Sequence, residues 1–400
     1  MSVPRILFVS TQLPYPPTSG GTVKSWNYIN FLAKKYSVSC VCFLKNEDKK
    51  HQQQFQEAIS LAHFYAEPIS IQRSPINLLK SYLSAPCLNV FRNQSSSFKN
   101  AVQDLALQHD IIIIDHYEMF QYVPANFSGK VIMHTHNAEF MLWQRMSELT
   151  SNPIKKIVLA IEAARVKKYE QHTFQKADLI YSTPSDIELY KNHGFKVNKH
   201  HETFHLGNES LLELPDLKFE ATEKAITFMG TMSWEPNIDG IVWFIEEVWP
   251  SIKAQERDCK LYLLGKAPDE RIIKAANEDN NVIFPGFVKD LDTYLKKTRV
   301  YIAPLRFGSG MKVKVLEGLY RGNPTVSTSV GAEGLLVKSG EHLIIADDAQ
   351  AFAKACLALI NQQKTWENIS KNSRKLAAEE YRWEPLFERM DEALKLLEKH

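Results

Sequence analysis

Apolar residues in this chain fall in short β-branched runs, separated by stretches in which they recur at helical spacing. That is the pattern of βα units around a parallel sheet. In the first half, strands are predicted over 5–10, 38–44, 111–114, 130–135 and 179–182. A helix over 22–35 brings Trp26, Ile29, Asn30 and Ala33 close to one face. Thr183-Pro184-Ser185-Asp186 reads as a helix start. A second series opens near Ala225, with strands over 225–229, 260–264, 281–284, 300–303 and 325–327 and an aromatic-rich helix over 236–248. The stretch 209–223 is acidic, holds Pro215 and shows no periodicity, as a connection between domains would. The prediction is two doubly wound α/β domains, 1–208 and 225–378, joined by 209–224, with a helical tail within 379–400.

Length and composition agree with this division. A chain of 400 residues exceeds what one core usually serves. With 48 basic and 46 acidic residues, no overall charge draws it to nucleic acid, which is not expected as a partner. The five cysteines are scattered, and Cys40 and Cys42 share a strand face at poor spacing for a disulfide or zinc site. A reducing, cytoplasmic setting fits them best. The first apolar run, Ile6 to Val9, is strand-sized and not expected to act as a secretory signal. The run Ile111 to Ile114 is far short of a membrane span. Membrane contact, if made, is expected to be peripheral, at the inner face. Pro153–Lys176 carries six Lys or Arg against two Glu, with Ile157, Val158 and Ile161 apolar. It reads first as an ordinary surface helix and second as a basic amphipathic helix suited to an anionic membrane.

Open α/β sheets bind ligands beyond the carboxyl ends of their strands, where loops enter helices. Three such loops carry glycine: Pro16 to Gly21, with Gly20 and Gly21 just before the first helix; Gly230 to Ser233; and Gly308-Ser309-Gly310-Met311-Lys312. The third is the richest. Gly308 and Gly310 can form a nest of amides converging on phosphate, and Lys312 and Lys314 add positive charge. Glu317, two turns into the predicted helix, suits the vicinal hydroxyls of a ribose. Together they describe a site for a nucleoside diphosphate; the alternative is a tight turn before a helix with ordinary surface charges. No Walker loop is present, and strand one does not run into Gly-x-Gly-x-x-Gly.

Several motifs resemble those of the GT-B glycosyltransferases, two-Rossmann-domain enzymes, and within them the large retaining group 4 family. They are Pro16 to Gly21; Val131 to Asn137, with its histidines; Phe228-Met229-Gly230 with Asn237 and Gly240; and, most specifically, Pro304 through Gly334. The resemblance implies two Rossmann-like domains facing a central cleft, with the C-terminal helix, after Trp383, crossing back to the first. It implies transfer of a sugar from a UDP-, GDP- or ADP-sugar to a carbohydrate or lipid-linked acceptor. Catalytic roles would fall to His136 (or His134 beside it), Lys312 and Glu317. Donor contacts would come from Gly20, Gly21, Gly230, Gly308, Ser309, Gly310, Met311, Lys314 and Glu333. Asn137, Glu139 and Asp290 are further candidates for substrate contact; Asn137 and Glu139 serve equally well as helix caps.

Two features depart from the family. Glu317 matches the second glutamate of its E-x7-E motif, but the first is replaced by Ser309. The arginine and lysine usual after the family's first donor-domain strand are also missing from Thr231 to Asn237; Lys312 or Lys314 can replace that positive charge, as in the branch whose loop reads Gly-Ser-Gly-Met-Lys-Val-Lys. No clustered Asp-x-Asp or His-rich set appears, so no cofactor and no metal are expected. The alternative is zinc held by His134 and His136 with Asp115 and His116. The rival functions are a nucleotide-sugar epimerase and a non-catalytic nucleotide-sugar-binding protein.

Overall fold

The computed structural model describes residues 3–397 apart from 18, 19, 46, 47, 73, 205, 267, 309 and 310, and apart from the side chain of residue 149. The chain divides into two compact units, residues 1–205 with 383–400, and residues 206–382.

The first unit is built on a seven-stranded sheet of β1 (Arg5–Ser10), β2 (Ser37–Leu44), β3 (His63–Pro68), β4 (Ile111–Asp115), β5 (Lys130–His134), β6 (Leu179–Ser182) and β7 (His200–Glu202). Its order is β3-β2-β1-β4-β5-β6-β7, with every pairing parallel. All residues of β4 are buried, which is why its Ile-Ile-Ile-Ile run needs no polar alternation. The strand order reverses between β1 and β4, and a crevice for ligands forms at such a reversal. The helices that carry the argument here are α1 (Gly20–Lys35), α2 (Pro75–Ser84), α3 (Glu139–Leu149) and α4 (Pro153–Lys176).

The second unit repeats the plan. Its strands are β8 (Glu223–Met229), β9 (Lys260–Leu264), β10 (Val282–Gly286), β11 (Thr298–Ala303), β12 (Thr325–Ser327) and β13 (Ile344–Ile345). They run in the order β10-β9-β8-β11-β12-β13. Helix α5 (Val313–Arg321) follows β11, so its start lies beyond the carboxyl end of a central strand. Helix α6 (Trp383–Leu397) returns to the first unit. There Lys35 and Tyr36 bond the buried Asp391, and the Tyr181 hydroxyl donates to the Met390 carbonyl.

Three details differ from the sequence reading. The first helix begins at Gly20, so the paired glycines form its first turn and do not precede it. The helix expected over 236–248 continues to Gln255, with 235–243 α-helical, 244–248 a wider π turn and 249–255 α-helical again. Pro250 has no N–H to continue the ladder. The stretch 209–224 is part of the second unit: Arg374 donates to the carbonyls of Leu212 and Leu214, Arg321 to that of Pro215, and Leu211 is buried.

Candidate active site

Each unit gathers polar side chains at the carboxyl edge of its sheet. In the first, β4 ends in Asp115 and β5 in His134, with His136 two residues on. Asp115 is wholly buried, and four groups converge on it. Its Oδ2 accepts the hydroxyls of Ser10 at 2.9 Å and Ser25 at 2.7 Å. Its Oδ1 lies 2.9 Å from His134 Nδ1 and 2.8 Å from His136 Nε2. A carboxylate only accepts, so both ring nitrogens donate, which fixes the tautomer of each imidazole. Burial drives both histidines down to about 4, so they are neutral near pH 7. Burial alone would raise Asp115; the histidines, by charge and hydrogen bond, hold it well below the usual carboxylate range.

His116 stacks on His136 with ring centroids 3.8 Å apart. Its φ of 80° is in the region L-residues avoid, and such backbone strain gathers at functional sites. A Cβ on Gly21 would lie 3.7 Å from His136 Nδ1, so the start of α1 borders the imidazole. The predicted Gly20–Gly21 turn and His136 are therefore brought together. Lys24, one turn into the same helix, is buried and donates to the Thr135 carbonyl at 2.7 Å. Burial lowers it to about 7, against the pull of Asp186 and Asp115.

Asp115, His134 and His136 are also the set of side chains whose ligand atoms approach within 4.8 Å, as a metal ion would need. Both histidines already hydrogen-bond Asp115, and the charge of buried Lys24 acts on both against a further cation. The residues fit a proton-holding cluster better than a zinc centre. Asn137 Nδ2 donates to Glu139 Oε1 at 3.3 Å, and the N-cap position of α3 falls to Ala138, which has no side-chain cap to offer. The N–H groups of Glu139 and Phe140 donate instead to buried Glu170.

Beside this cluster a polar cavity of about 350 Å³ is lined by Thr11, Lys45, Asn89, Arg92, Asn93 and Glu118, among others. Asn89 Oδ1 is buried without a hydrogen-bond partner among the described residues. Neither this cavity nor the role of Lys24 was read from sequence, and Asp115 was read there only as an alternative zinc ligand beside the histidines.

In the second unit, Gly308 has φ +142°, a conformation that favours glycine, and a Cβ there would lie 3.5 Å from the Lys312 stem. Lys312 pairs with Glu333 at 3.3 Å. Met311 is buried; Ser309 and Gly310, the centre of the expected amide nest, lie outside the described residues. Helix α5 starts with neither a side-chain cap nor an acidic residue in its first turn, leaving its positive end to an anion. Lys314 donates to Asn237 Oδ1 and lies 4.9 Å from the centre of the Phe228 ring. Burial, with Lys312 nearby, lowers it to about 7. A Cβ on Gly230 would meet Lys314 Nζ at 3.0 Å and Asn237 Nδ2 at 2.9 Å, so a larger residue there would displace the lysine or its partner.

Glu317 is buried, and its Oε1 accepts the Asn208 N–H at 3.0 Å. Its Oε2 is buried with no partner among the described residues. Burial raises it to about 7. Leaving a buried carboxylate oxygen unmatched is costly, and a ligand is one reason to keep it so. Asp290 is exposed, accepting from Asp292 N–H and the Thr293 hydroxyl at the start of a short helix whose Asp292 pairs with Arg321 at the end of α5.

Residues 223–362 match the family described as Glycosyl transferases group 1. The fold as a whole is that of the GT-B proteins: two Rossmann-like α/β units with the last helix returned to the first.

Among individual relatives, the chain is 23% identical to an uncharacterized 44.6 kDa protein in the cps region of Klebsiella pneumoniae, across 94% of this chain and 96% of that one. It is 26% identical to the phosphatidyl-myo-inositol mannosyltransferase of Mycobacterium leprae over 38% of this chain and 41% of that protein. Among solved structures, Anabaena HepE in complex with UDP-glucose superposes with a TM-score of 0.70 at 13% identity, covering 98% of this chain and 99% of that one. Sucrose-phosphate synthase from Thermosynechococcus elongatus gives 0.69 at 15% identity, with the same coverage.

Proposed function

We propose that this protein is a retaining glycosyltransferase that moves a sugar from a nucleoside-diphosphate sugar to an acceptor hydroxyl. The observation that carries the reading is the buried Glu317 carboxylate. Among the described residues its Oε2 is unmatched, on a helix whose start, without a side-chain cap there, bears Lys312 and Lys314. A ribose diol would satisfy Oε2, and the helix start with the two lysines would hold the diphosphate. The match of 223–362 to a glycosyltransferase family supports this, and HepE holds UDP and UDP-glucose, so a UDP-sugar is the first donor to test.

In this reaction the bond from the sugar's anomeric carbon to the β-phosphate oxygen breaks, and the acceptor oxygen forms its bond on the same face. The acceptor's proton passes to the leaving phosphate. Negative charge growing there is stabilised by fixed amides and lysines, so no metal is required. Neutral His136, held by Asp115, orients the sugar or acceptor. The polar cavity beside it offers hydroxyl partners for a carbohydrate or lipid-linked acceptor. Cytoplasmic action at the inner face of a membrane fits this role.

A calorimetric screen of UDP-, GDP- and ADP-sugars, followed by NMR of the product's anomeric coupling, tests the reading. Binding of one donor class and a product of unchanged anomeric configuration, formed equally in EDTA, is expected. An isomerised sugar nucleotide made without acceptor would point to an epimerase and overturn it.

A further inference from the structure

The sequence favours an ordinary solvated face for 153–176, and the structure turns that face the other way. Helix α4 buries Leu159, Glu162, Ala163, Val166 and Tyr169. Its outer stripe then consists of Ile154, Ile157, Ile161, Ala164 and Lys168, at helical spacing. Ile154 is 74% and Ile157 62% exposed. Helix α2 repeats the arrangement. Ile76, Leu79 and Leu83 form an outward stripe in which Leu83 is 89% exposed, with Tyr82 beside it.

The two stripes are joined. Arg165 of α4 donates to the Ser81 hydroxyl and to the carbonyls of Ser81 and Ala85, and its guanidinium stacks 4.1 Å from the Tyr82 ring centre. Ile161 is one turn before Arg165, and Leu79 one turn before Tyr82, so the apolar surface runs from one helix onto the other. Helix α3 adds exposed Met146, next to Ser147, whose hydroxyl donates to the Lys156 carbonyl. Of fifteen large apolar side chains exposed among the described residues, eight belong to these three helices. Scattered singly they would need no explanation; gathered, they mark a contact surface.

Charge selects the occupant. Lys80, Lys155, Lys156 and Lys168 are exposed on the same two helices. Helix α2 has no acidic residue, and the acids of α4 are turned inward: Glu162 pairs with Arg165 and accepts the Leu88 N–H, while Glu170 caps α3. The nearest exposed acid on the three helices is Glu148, at the end of α3. An apolar ridge fringed by lysine fits a bilayer of anionic lipid, with isoleucines among the acyl chains and ammonium groups at the headgroups. We propose that the α2–α4 face of the first unit docks this protein on an anionic membrane surface. Among the described residues no helix is long and apolar enough to cross a membrane, so the attachment is peripheral.

The test is co-sedimentation of the full chain with vesicles of phosphatidylcholine alone or mixed with phosphatidylglycerol, with light scattering in the absence of lipid. The wild-type protein should bind the mixed vesicles and bind pure phosphatidylcholine at least tenfold more weakly. Leu79→Glu/Ile157→Glu should abolish binding while donor affinity and Tm stay unchanged. Should that variant fail to fold, Lys80→Gln/Lys155→Gln/Lys156→Gln serves instead, with at least a fivefold loss expected on mixed vesicles. No binding to mixed vesicles overturns the proposal, as does equal binding to both lipids. So does a wild-type dimer that the Glu substitutions separate and that binds no vesicles. Donor binding is measured independently, so failure here leaves the transferase reading standing.

Discussion

Both units place a buried carboxylate beyond a central strand, and the two are opposites. Asp115 in the first unit has four hydrogen-bond partners, with both oxygens used. Glu317 in the second has one oxygen matched and the other bare among the described residues. The first is pushed down in pKa and the second up. A finished cluster holds its histidines in one tautomer; an unfinished one stores a cost that a ligand can relieve.

The same kind of substitution should therefore have opposite effects on stability. Asp115→Ala removes hydrogen bonds from two hydroxyls and two imidazoles, each worth about 1.5–3 kcal/mol when the acceptor is charged. A loss of about 4 kcal/mol or more in urea unfolding is expected. A loss below about 1 kcal/mol would show that the cluster is not the tight unit described.

His136→Ala leaves the donor site in the other unit untouched. Turnover should fall about 10²-fold while donor affinity stays within about threefold, read by steady-state kinetics and calorimetry. Equal turnover would remove His136 from the reaction.

Glu317→Gln should act in reverse. A carboxyl raised to about 7 by burial contributes stability that is complete below its ordinary value near 4.5 and is lost as pH rises through 7. At pH 8 the glutamine variant should be more stable than wild type by about 1–3 kcal/mol, while binding UDP about tenfold more weakly. A variant destabilised at pH 8 would mean that Glu317 is a structural anchor.

The first unit's histidines also set its acid stability. His116, His134 and His136 are each lowered to about 4, mainly by burial, so they stay neutral in the fold where an unfolded chain would take up protons. Stability is fully present above about 6.5 and should decline as pH falls toward 4, with three protons taken up on unfolding. The slope of unfolding free energy against pH checks it.

The same contrast governs what was legible in the sequence. Central strands announce themselves as apolar runs because both faces are buried, as in Ile111–Asp115. The edge strand His63–Pro68 does not, since most of its residues are only half-buried and carry no clear alternation. Glu317, Gly308, Lys312 and Lys314 were readable because they lie within one short stretch of chain. As a group, Asp115, His134 and His136 were readable only as an alternative zinc set, because the hydroxyls of Ser10 and Ser25 that complete the hydrogen-bonded cluster come from distant segments. Ile157 and Ile161 of α4 were seen in the sequence, but not that they face outward. Apolar residues on both faces blur the helical stripe, and only the fold shows which face is covered.

The central claim is that Glu317 awaits a nucleotide's ribose hydroxyls, and one calorimetric comparison addresses it: UDP against 2′,3′-dideoxy-UDP, on wild type and on Glu317→Gln. Wild type should lose at least about tenfold in affinity when both hydroxyls are gone, and the variant almost nothing. If both proteins lose the same factor, or neither binds UDP, GDP or ADP at all, the carboxylate serves some other purpose and the account fails.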